Sequence, residues 1–333
     1  MARIGVIGAG SWGTALAKVL AENGHHVTVW ARRPELVEAL ALQHRSPDYL
    51  PGIVLPDTLR FTANLAEATH EANFILLTTP SHGLREVLQP LRSLSSAAIV
   101  ISTVKGIETD TLLRMSQVIA SLLVDSSPVV VLSGPNLAVE VANQIPTATV
   151  VASDDFAAAK AVQEIFMNRY FRVYTDHDVI GVELGGALKN IIALAAGIVD
   201  GAGFGDNTKA ALMTRGLVEI MRLGVKLGAD PMTFSGLSGM GDLFVTCMSR
   251  KSRNRYVGEE IGKGRKLQEI LNEMMMVAEG VRTTQAAYRL AQQNGVEMPI
   301  TTEIYQILFE SKDAKQAMHA LMTREAKREK LGW

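Results

Sequence analysis

The sequence predicts an α/β protein in which a mostly parallel β-sheet covered by helices is followed by an all-helical domain. Its 333 residues suffice for two domains of roughly 100–200 residues each. From Arg3 to about Thr175, short β-branched apolar runs alternate with longer amphipathic runs, which is typical of parallel strands joined by helices. After about Asp178 the strand signals stop and long helical patterns follow.

The elements follow from the period of the apolar residues. Short apolar runs predict strands at Arg3–Ile7, Val27–Trp30, Phe74–Thr78, Ala97–Ser102, Val129–Ser133, Thr147–Ala152 and Phe171–Tyr174. Amphipathic runs between them predict helices such as Ser11–Asn23, Pro34–His44, Gly83–Leu94 and Asp110–Leu123. In the second half, Leu217, Met221 and Val225 share one helical stripe, which indicates an amphipathic helix.

Composition excludes several classes of function. Lys plus Arg number 33 and Asp plus Glu 34, so the net charge of -1 does not favour binding of the whole molecule to nucleic acid or an anionic membrane. The single cysteine, Cys247, cannot form an intrachain disulfide, and no Cys/His cluster has zinc spacing. Strongly apolar stretches such as Ile191–Val199 are shorter than the ~18 residues of a membrane span. We therefore expect a cytoplasmic protein without metal, nucleic acid or membrane insertion.

A glycine-rich turn follows the first predicted strand. Gly8, Gly10 and Gly13 form a GxGxxG pattern between a strand and a helix, inside a unit of about 30 residues. In such a unit the first glycine permits the tight turn, the second lets the backbone approach a pyrophosphate, and the third allows helix–strand packing. This context predicts a Rossmann-like dinucleotide-binding domain. A glycine-rich turn without a ligand, or a short secretory signal, is the alternative interpretation.

Two arginines at the end of the second strand indicate the type of dinucleotide. NAD-selective sites place an Asp or Glu there for the ribose 2′-hydroxyl, whereas this chain has Arg32 and Arg33 and no carboxylate before Glu35. Guanidinium groups bind phosphate through charge-assisted bidentate contacts. We therefore expect NADPH to be preferred over NADH. Arginines that merely face solvent are the alternative.

Lys189 lies in a segment with very little polar surface. Its neighbours at three and four residues are Gly185, Gly186, Ile192 and Ala193, so no carboxylate on its own helix can pair with it. Burial would lower the pKa of its ammonium from about 10.4 towards the 7–8 that suits a catalytic base. The alternative is a lysine whose head reaches solvent.

Other candidates lie where open α/β sheets bind their ligands. Lys105 and the turn containing Gly134 and Asn136 each follow a predicted strand, at its carboxyl end. Either could equally be an exposed lysine or an ordinary turn. Asp242, flanked by glycines, could orient a base or could simply cap the next helix.

The segment 250–255 concentrates positive charge. Four cationic side chains accompany Ser252 and Asn254, a set suited to one phosphate dianion. A nucleic-acid patch is disfavoured by the balanced net charge and by the lack of interleaved aromatics apart from Tyr256. A solvated charged turn remains the other alternative.

Taken together, these residues resemble the bacterial NAD(P)-dependent glycerol-3-phosphate dehydrogenases over essentially the whole chain. The resemblance rests on Gly8–Gly13 with Trp12, Tyr49–Gly52, Pro80–His82, Lys105–Glu108, Ser133–Pro135, Leu188–Asn190, Leu237–Thr246, Ser252–Arg255 and Ala278–Gly280. Two positions depart from the family pattern. Asn136 stands where Ser or Thr is usual, and Val139 stands where Lys usually precedes Glu140.

The resemblance implies a role for each matching residue. Lys189 would be the proton acceptor, with Asp242 and Lys105 as further catalytic residues. The substrate would contact Lys105, Gly134, Asn136, Lys189, Asp242, Thr246, Ser252, Arg253 and Asn254. The dinucleotide would contact Gly8, Gly10, Ser11, Trp12, Gly13, Arg32, Arg33, Lys105, Ala138, Arg253, Val277 and Glu279.

The implied reaction is reversible reduction of dihydroxyacetone phosphate to sn-glycerol 3-phosphate with NADPH or NADH, which supplies glycerol phosphate for phospholipid synthesis. Residues 1–180 would bind the dinucleotide and residues 181–333 the small phosphorylated three-carbon substrate. The sequence leaves the oligomeric state open, with a homodimer as one option. Two alternatives remain: another two-domain dehydrogenase of the hydroxyacid or 6-phosphogluconate type, and a catalytically silent nucleotide-sensing protein.

Overall fold

The computed structural model describes residues 1–46, 48–92, 98–123, 127–274, 276–326 and 328–329. Its sheet has eight strands in the order β3-β2-β1-β4-β5-β6-β7-β8, and neighbours are parallel except β6 and β7. The strands are β1 (Arg3–Ile7), β2 (His26–Trp30), β3 (Arg60–Thr62), β4 (Phe74–Leu77), β5 (Ile99–Ser102), β6 (Val129–Ser133), β7 (Thr147–Ala152) and β8 (Phe171–Asp176). This mostly parallel sheet confirms the predicted α/β class.

Helices cover the sheet and then form the second half of the chain. Between the strands lie α1 (Ser11–Glu22), α2 (Pro34–Gln43), α3 (Leu65–Thr69), α4 (Leu84–Leu88), α5 (Met115–Ala120), α6 (Ala138–Ala142) and α7 (Phe156–Phe166). After the last strand follow α8 (Val179–Gly201), α9 (Asp206–Lys226), α10 (Asp242–Met248), α11 (Arg253–Gly262), α12 (Leu267–Glu273), α13 (Glu279–Gln293), α14 (Pro299–Phe309) and α15 (Ala314–Met322). Short 3₁₀ helices span Ser81–Gly83, Gln89–Leu91 and Pro231–Ser235, and a π-helical turn spans Leu237–Gly241.

The sheet is buried on both faces because the side chains of each strand alternate between them. In β1, Ile4 and Val6 pack into one core with α1, α2, α6 and α7. Ile7 points the other way, into a core with α3, α4 and α5. Because both faces of the sheet are buried, nearly every residue of a strand is apolar, which is the pattern that predicted the strands.

Three local predictions were wrong. The strand β3 was missed, because three residues are too few to show an alternating pattern. The helix predicted at Asp110–Leu123 begins only at Met115, since residues 107–114 form a tight turn in which Leu112 has φ 61°. The helix predicted at Gly83–Leu94 is broken after Leu88 by a 3₁₀ turn containing Pro90. Leu94 and Ala97, which ended or began predicted elements, lie outside the described residues.

The helix α8 forms the centre of the second half. It is buried on nearly all sides because α9, α10, α11, α13 and α14 pack around it, and most of its residues are apolar. Its 23 residues are long and apolar enough to cross a membrane, unlike the shorter stretch considered above, but 89% of its most apolar window is buried inside the protein. Such burial is typical of a core helix.

Strand order determines where a ligand can bind. The chain runs outward from β1 to β2 and β3, then returns across β1 to β4 and onward. Open α/β sheets bind ligands at such a reversal, beyond the carboxyl ends of the strands. The division of the chain at residue 180 stays a prediction; β8 ends at Asp176 and α8 begins at Val179.

Candidate active site

A cleft of about 570 Å³ lies beyond the carboxyl ends of β1, β4 and β5. Both halves of the chain line it. The predicted site residues among its lining are Gly8, Gly10, Ser11, Trp12, Arg32, Arg33, Lys105, Asn136, Ala138, Lys189, Asp242, Thr246, Ser252, Arg253, Asn254, Val277 and Glu279. Gly13 and Gly134 are not among the lining residues, but Gly13 packs against Gly8, and the Gly134 carbonyl accepts a hydrogen bond from Lys105.

The glycine-rich turn fits a pyrophosphate. Gly8 has φ 123°, a conformation that side chains disfavour, and a Cβ at Gly13 would lie only 2.0 Å from the Gly8 carbonyl oxygen. Gly10, in contrast, faces open space, with no atom within 4 Å of the position its Cβ would occupy. No side chain caps α1, so its N-terminal N–H groups remain available to an anion.

The two arginines after β2 have different surroundings. Arg33 Nη2 donates a hydrogen bond to Asp48 Oδ2 at 2.7 Å and lies 3.5 Å from the Tyr49 hydroxyl. Arg32 has no hydrogen bond or ion pair to any residue that the structure describes. Both side chains are exposed at the rim of the cleft, where a 2′-phosphate would need them.

Lys189 is buried rather than directed to solvent. The residue is 6% exposed, and its Nζ donates to Asp242 Oδ1 at 2.7 Å and to Thr246 Oγ1 at 2.5 Å. Burial lowers the pKa of Lys189 to about 8, although the Asp242 carboxylate opposes this effect. Both the charged and the neutral form of the amine are therefore accessible within about one pH unit of neutrality.

Asp242 joins two lysines. Its Oδ1 accepts from Lys189, and its Oδ2 accepts from Lys105 Nζ at 2.6 Å. The carboxylate is therefore not a simple helix cap, although Asp242 does begin α10. Thr246, one turn later, donates from Oγ1 to the Asp242 carbonyl at 2.6 Å, so that its lone pairs face Lys189.

The turn after β6 supports Lys105 from behind. Lys105 Nζ donates to the Gly134 carbonyl at 3.1 Å, and Gly134 has φ 152°. Asn136 lines the cleft, but its amide nitrogen donates to the Ala148 carbonyl at 3.3 Å and its oxygen lies 3.0 Å from Thr149 Oγ1. Its side chain is thus held by β7.

The basic segment 250–255 separates into two groups. Arg253 lines the cleft and pairs with none of the described residues, whereas Arg255 turns away to pair with Asp200 at 2.7 Å. Partial burial of the Arg253 guanidinium lowers its pKa, while the side chain stays open to the cleft. Ser252 Oγ caps α11 by accepting from the Arg255 N–H.

Sequence reasoning missed two residues at the site. Asn190 accepts a hydrogen bond from the Asn254 amide at 2.9 Å, and Asn254 in turn accepts from the Gly280 N–H. Ser81 binds Glu279 twice, through its N–H at 2.9 Å and its hydroxyl at 2.5 Å. Asn190 and Ser81 lie within Leu188–Asn190 and Pro80–His82, two of the segments that carry the family resemblance, and this was the only indication of their role in the sequence. Within the described residues, no group of three or more His, Cys, Asp or Glu could hold a metal.

Comparisons with known proteins agree on one family. A model of the N-terminal part of NAD-dependent glycerol-3-phosphate dehydrogenase matches residues 3–159, and a model of the C-terminal part matches residues 178–319. The glycerol-3-phosphate dehydrogenase [NAD(P)+] of Lysinibacillus sphaericus is 53% identical, with 99% of this chain and 98% of the relative aligned. The protein of that name from Geobacter sulfurreducens is 54% identical, covering 98% and 99%.

Solved structures extend the likeness to three dimensions. The glycerol-3-phosphate dehydrogenase of Coxiella burnetii has a TM-score of 0.93 at 38% identity, covering 96% of this chain and 98% of that one. The yeast glycerol-3-phosphate dehydrogenase has a TM-score of 0.82 at 30% identity, covering 95% and 98%. D-mandelate dehydrogenase, at 13% identity and a TM-score of 0.64, shares the fold alone.

Proposed function

The chain belongs to the NAD-dependent glycerol-3-phosphate dehydrogenase family, and from this premise we propose that Lys189 moves the proton in its reaction. The protein is an oxidoreductase that uses NAD or NADP and interconverts dihydroxyacetone phosphate and sn-glycerol 3-phosphate. One observation supports the role of Lys189 above others. Its buried amine contacts Asp242 and Thr246 in the cleft that contains the glycine-rich turn.

The proton step follows from the surroundings of the amine. During reduction, the Lys189 ammonium donates a proton to the substrate oxygen, and during oxidation the neutral amine accepts it back. A pKa of about 8 makes both forms accessible near neutral pH. Asp242 fixes the position of the amine, and Lys105 stabilises negative charge on the oxygen. When bound, the nicotinamide cofactor supplies or takes up the hydride.

The phosphate of the substrate requires a fixed cation. Arg253 is open to the cleft and has no partner among the described residues, so its guanidinium is available to a dianion. Asn254 lies beside it, held by Asn190 and by the Gly280 N–H. Holding the phosphate there keeps the ketone near Lys189, which is the benefit of positioning the reacting groups.

The dinucleotide would be held by the glycine-rich turn, Ser11 and Trp12, with Ala138, Val277 and Glu279 along the rest of the cleft. We propose that NADPH is preferred because Arg32 and Arg33 can bind its 2′-phosphate. We also propose that residues 1–180 form the cofactor domain and residues 181–333 the substrate domain.

The decisive test is NADPH oxidation with dihydroxyacetone phosphate compared with a series of oxo acids. We expect oxidation only with the phosphorylated ketone. Turnover of an oxo acid would support a hydroxyacid-type dehydrogenase instead, and dinucleotide binding without oxidation would support a silent sensor.

Substitutions test the individual roles. Lys189→Ala should lower kcat by about 10²–10⁴-fold, the usual contribution of general acid–base catalysis, while calorimetry shows NADPH binding intact. Arg253→Ala should mainly raise the KM for dihydroxyacetone phosphate, whereas Arg250→Ala, an exposed arginine outside the cleft, should not. Retained turnover in Lys189→Ala would reject its role.

Three wider expectations belong to the same proposal: a homodimer, a cytoplasmic location, and supply of glycerol phosphate for phospholipid synthesis. Sedimentation of the purified protein tests the first. Depletion of the protein in its own cells, followed by measurement of newly made phospholipid, tests the last. The balanced net charge and the burial of α8 favour a protein that acts on small molecules without nucleic acid or membrane insertion.

A further inference from the structure

Arg33, one of the two arginines at the rim of the proposed cofactor site, already forms an ion pair with a carboxylate. Arg33 Nη2 donates to Asp48 Oδ2 at 2.7 Å, and about half of the Arg33 side chain remains exposed. We propose that Asp48 sets the balance between NADPH and NADH by competing with the 2′-phosphate for Arg33. This inference rests on the proposed cofactor site and adds a residue to it.

Neighbouring contacts fix Asp48 beside the cofactor site. The next residue, Tyr49, lines the cleft, and its carbonyl accepts a hydrogen bond from Ser11 Oγ in the glycine-rich turn at 2.8 Å. The Tyr49 N–H donates to Ser46 Oγ at 3.2 Å. The Arg33 guanidinium also lies over the Tyr49 ring, 6.0 Å from its centroid. Asp48 and Arg33 are therefore tied to the same turn that would hold the dinucleotide.

The competition follows from the chemistry of the guanidinium. Carboxylate and phosphate use the same N–H donors of Arg, so a 2′-phosphate that binds Arg33 must displace or share Asp48. NADH carries only a hydroxyl at this position and leaves the Arg33–Asp48 pair intact. Asp48 therefore disfavours NADPH selectively, while Arg32, unpaired among the described residues, still attracts it.

The expected effect is modest because the pair is exposed. Exposed ion pairs contribute little, so removing the Asp48 charge should raise the ratio of kcat/KM for NADPH to that for NADH by about two- to fivefold. Glu35 provides a matched control. It is an exposed carboxylate whose charge also acts on Arg33, but no hydrogen bond joins it to Arg33.

The experiment compares Asp48→Asn, Glu35→Gln, Arg33→Gln and the double variant Arg33→Gln/Asp48→Asn. Asp48→Asn should raise the NADPH/NADH ratio, Glu35→Gln should change it by less than half of that effect, and Asp48→Asn should add nothing when Arg33 is already Gln. The last comparison separates action through Arg33 from direct repulsion. A ratio that is unchanged or lowered in Asp48→Asn would overturn the inference, as would an equal gain in the Arg33→Gln background.

Calorimetry with two fragments makes the test independent of turnover. The Asp48→Asn variant should bind 2′,5′-ADP about two- to fivefold more tightly than the unmodified protein, with no such gain for 5′-AMP. Absence of this difference overturns the role of Asp48. Failure of dihydroxyacetone phosphate to be reduced would instead overturn the proposed activity, and the fragment result would still decide the inference.

Discussion

At the scale of single residues, the proton step proposed for the cleft depends on two opposing effects on the pKa of Lys189. Burial lowers the pKa of its amine, and the Asp242 carboxylate raises it without fully compensating. The pair is thus not a stabilising salt bridge of the surface type, since both groups are buried. An amine that can both give and take a proton is the result.

The first prediction concerns the pH dependence of this amine. In the proposed mechanism, oxidation of glycerol 3-phosphate needs neutral Lys189, so its rate should rise with pH through a pKa of about 8, whereas the rate of the reverse reaction should fall over the same range. Asp242→Asn removes the charge that raises this pKa, so the rising limb should move to lower pH. Profiles of kcat/KM measure the shift.

Glu219→Gln is the control for that profile. Glu219 is another buried carboxylate, bonded to the Ile300 and Thr301 N–H groups and absent from the lining of the cleft. Its substitution should leave the limb in place. Movement of the limb to higher pH in Asp242→Asn would contradict the prediction.

The sequence could predict Lys189 because a lysine without a local partner on an apolar helix is detectable from spacing alone. It could not predict the Asp242 carboxylate from spacing, since the contact joins residues 53 positions apart and depends on how α10 packs on α8. For Asp242 the local pattern favoured a helix cap, and only the family resemblance pointed to the site.

At the scale of elements, α11 is placed by glycines. A Cβ at Gly258 would lie 2.0 Å from the Leu194 carbonyl oxygen, and one at Gly197 would lie 2.0 Å from the Arg255 carbonyl oxygen. The backbones of α8 and α11 therefore touch. Because α8 carries Lys189 and α11 begins at Arg253, this contact sets the separation between the proposed proton-transfer group and the proposed phosphate site.

We predict that Gly258→Ala forces the two helices apart. The free energy of unfolding should fall by about 1–3 kcal/mol, the usual cost of overpacking, and the KM for dihydroxyacetone phosphate should rise. Gly205→Ala serves as the control: no atom lies within 4 Å of its Cβ position, so only the smaller cost of an alanine at the N-cap of α9 remains. Urea denaturation and initial-rate kinetics measure both effects, and a Gly258→Ala protein with unchanged stability would disprove the contact.

Element boundaries were predictable where the apolar pattern was long and failed where backbone conformation decided the outcome. The predicted strands β1, β6 and β7 agree at both ends. The start of α5 depends instead on the turn at Leu112, whose left-handed conformation is unusual for leucine and leaves no signal in the sequence.

At the scale of the whole molecule, three contacts of charged side chains beside the cleft join the two halves within the residues that the structure describes. They are Ser81 with Glu279, Lys105 with Asp242, and Lys251 with Glu140. The first is bidentate: the Glu279 carboxylate caps the 3₁₀ helix that begins at Ser81. The walls of the proposed cofactor site are thereby held together by the helical half of the chain.

Ser81→Ala should loosen this closure while retaining the backbone bond to Glu279. We expect the Kd for NADPH to rise about three- to tenfold, because hydrogen bonds to charged groups are among the stronger ones. Ser121→Ala removes a hydroxyl that, among the described residues, bonds only to the Val118 carbonyl of α5, and it should not change the Kd. Equal affinities of the Ser81→Ala and unmodified proteins by calorimetry would show that the contact does not contribute to binding.

The position of α8 in the chain also has a consequence for biosynthesis. This apolar helix leaves the ribosome before the helices that cover it, namely α9, α10, α11, α13 and α14. The last of these helices ends at Phe309. Until translation has passed Phe309, the apolar surface of α8 is not fully buried, and it can aggregate or bind chaperones. A messenger RNA truncated before the codon for Phe309 would therefore yield an aggregation-prone protein, even though all eight strands of the sheet have already been made.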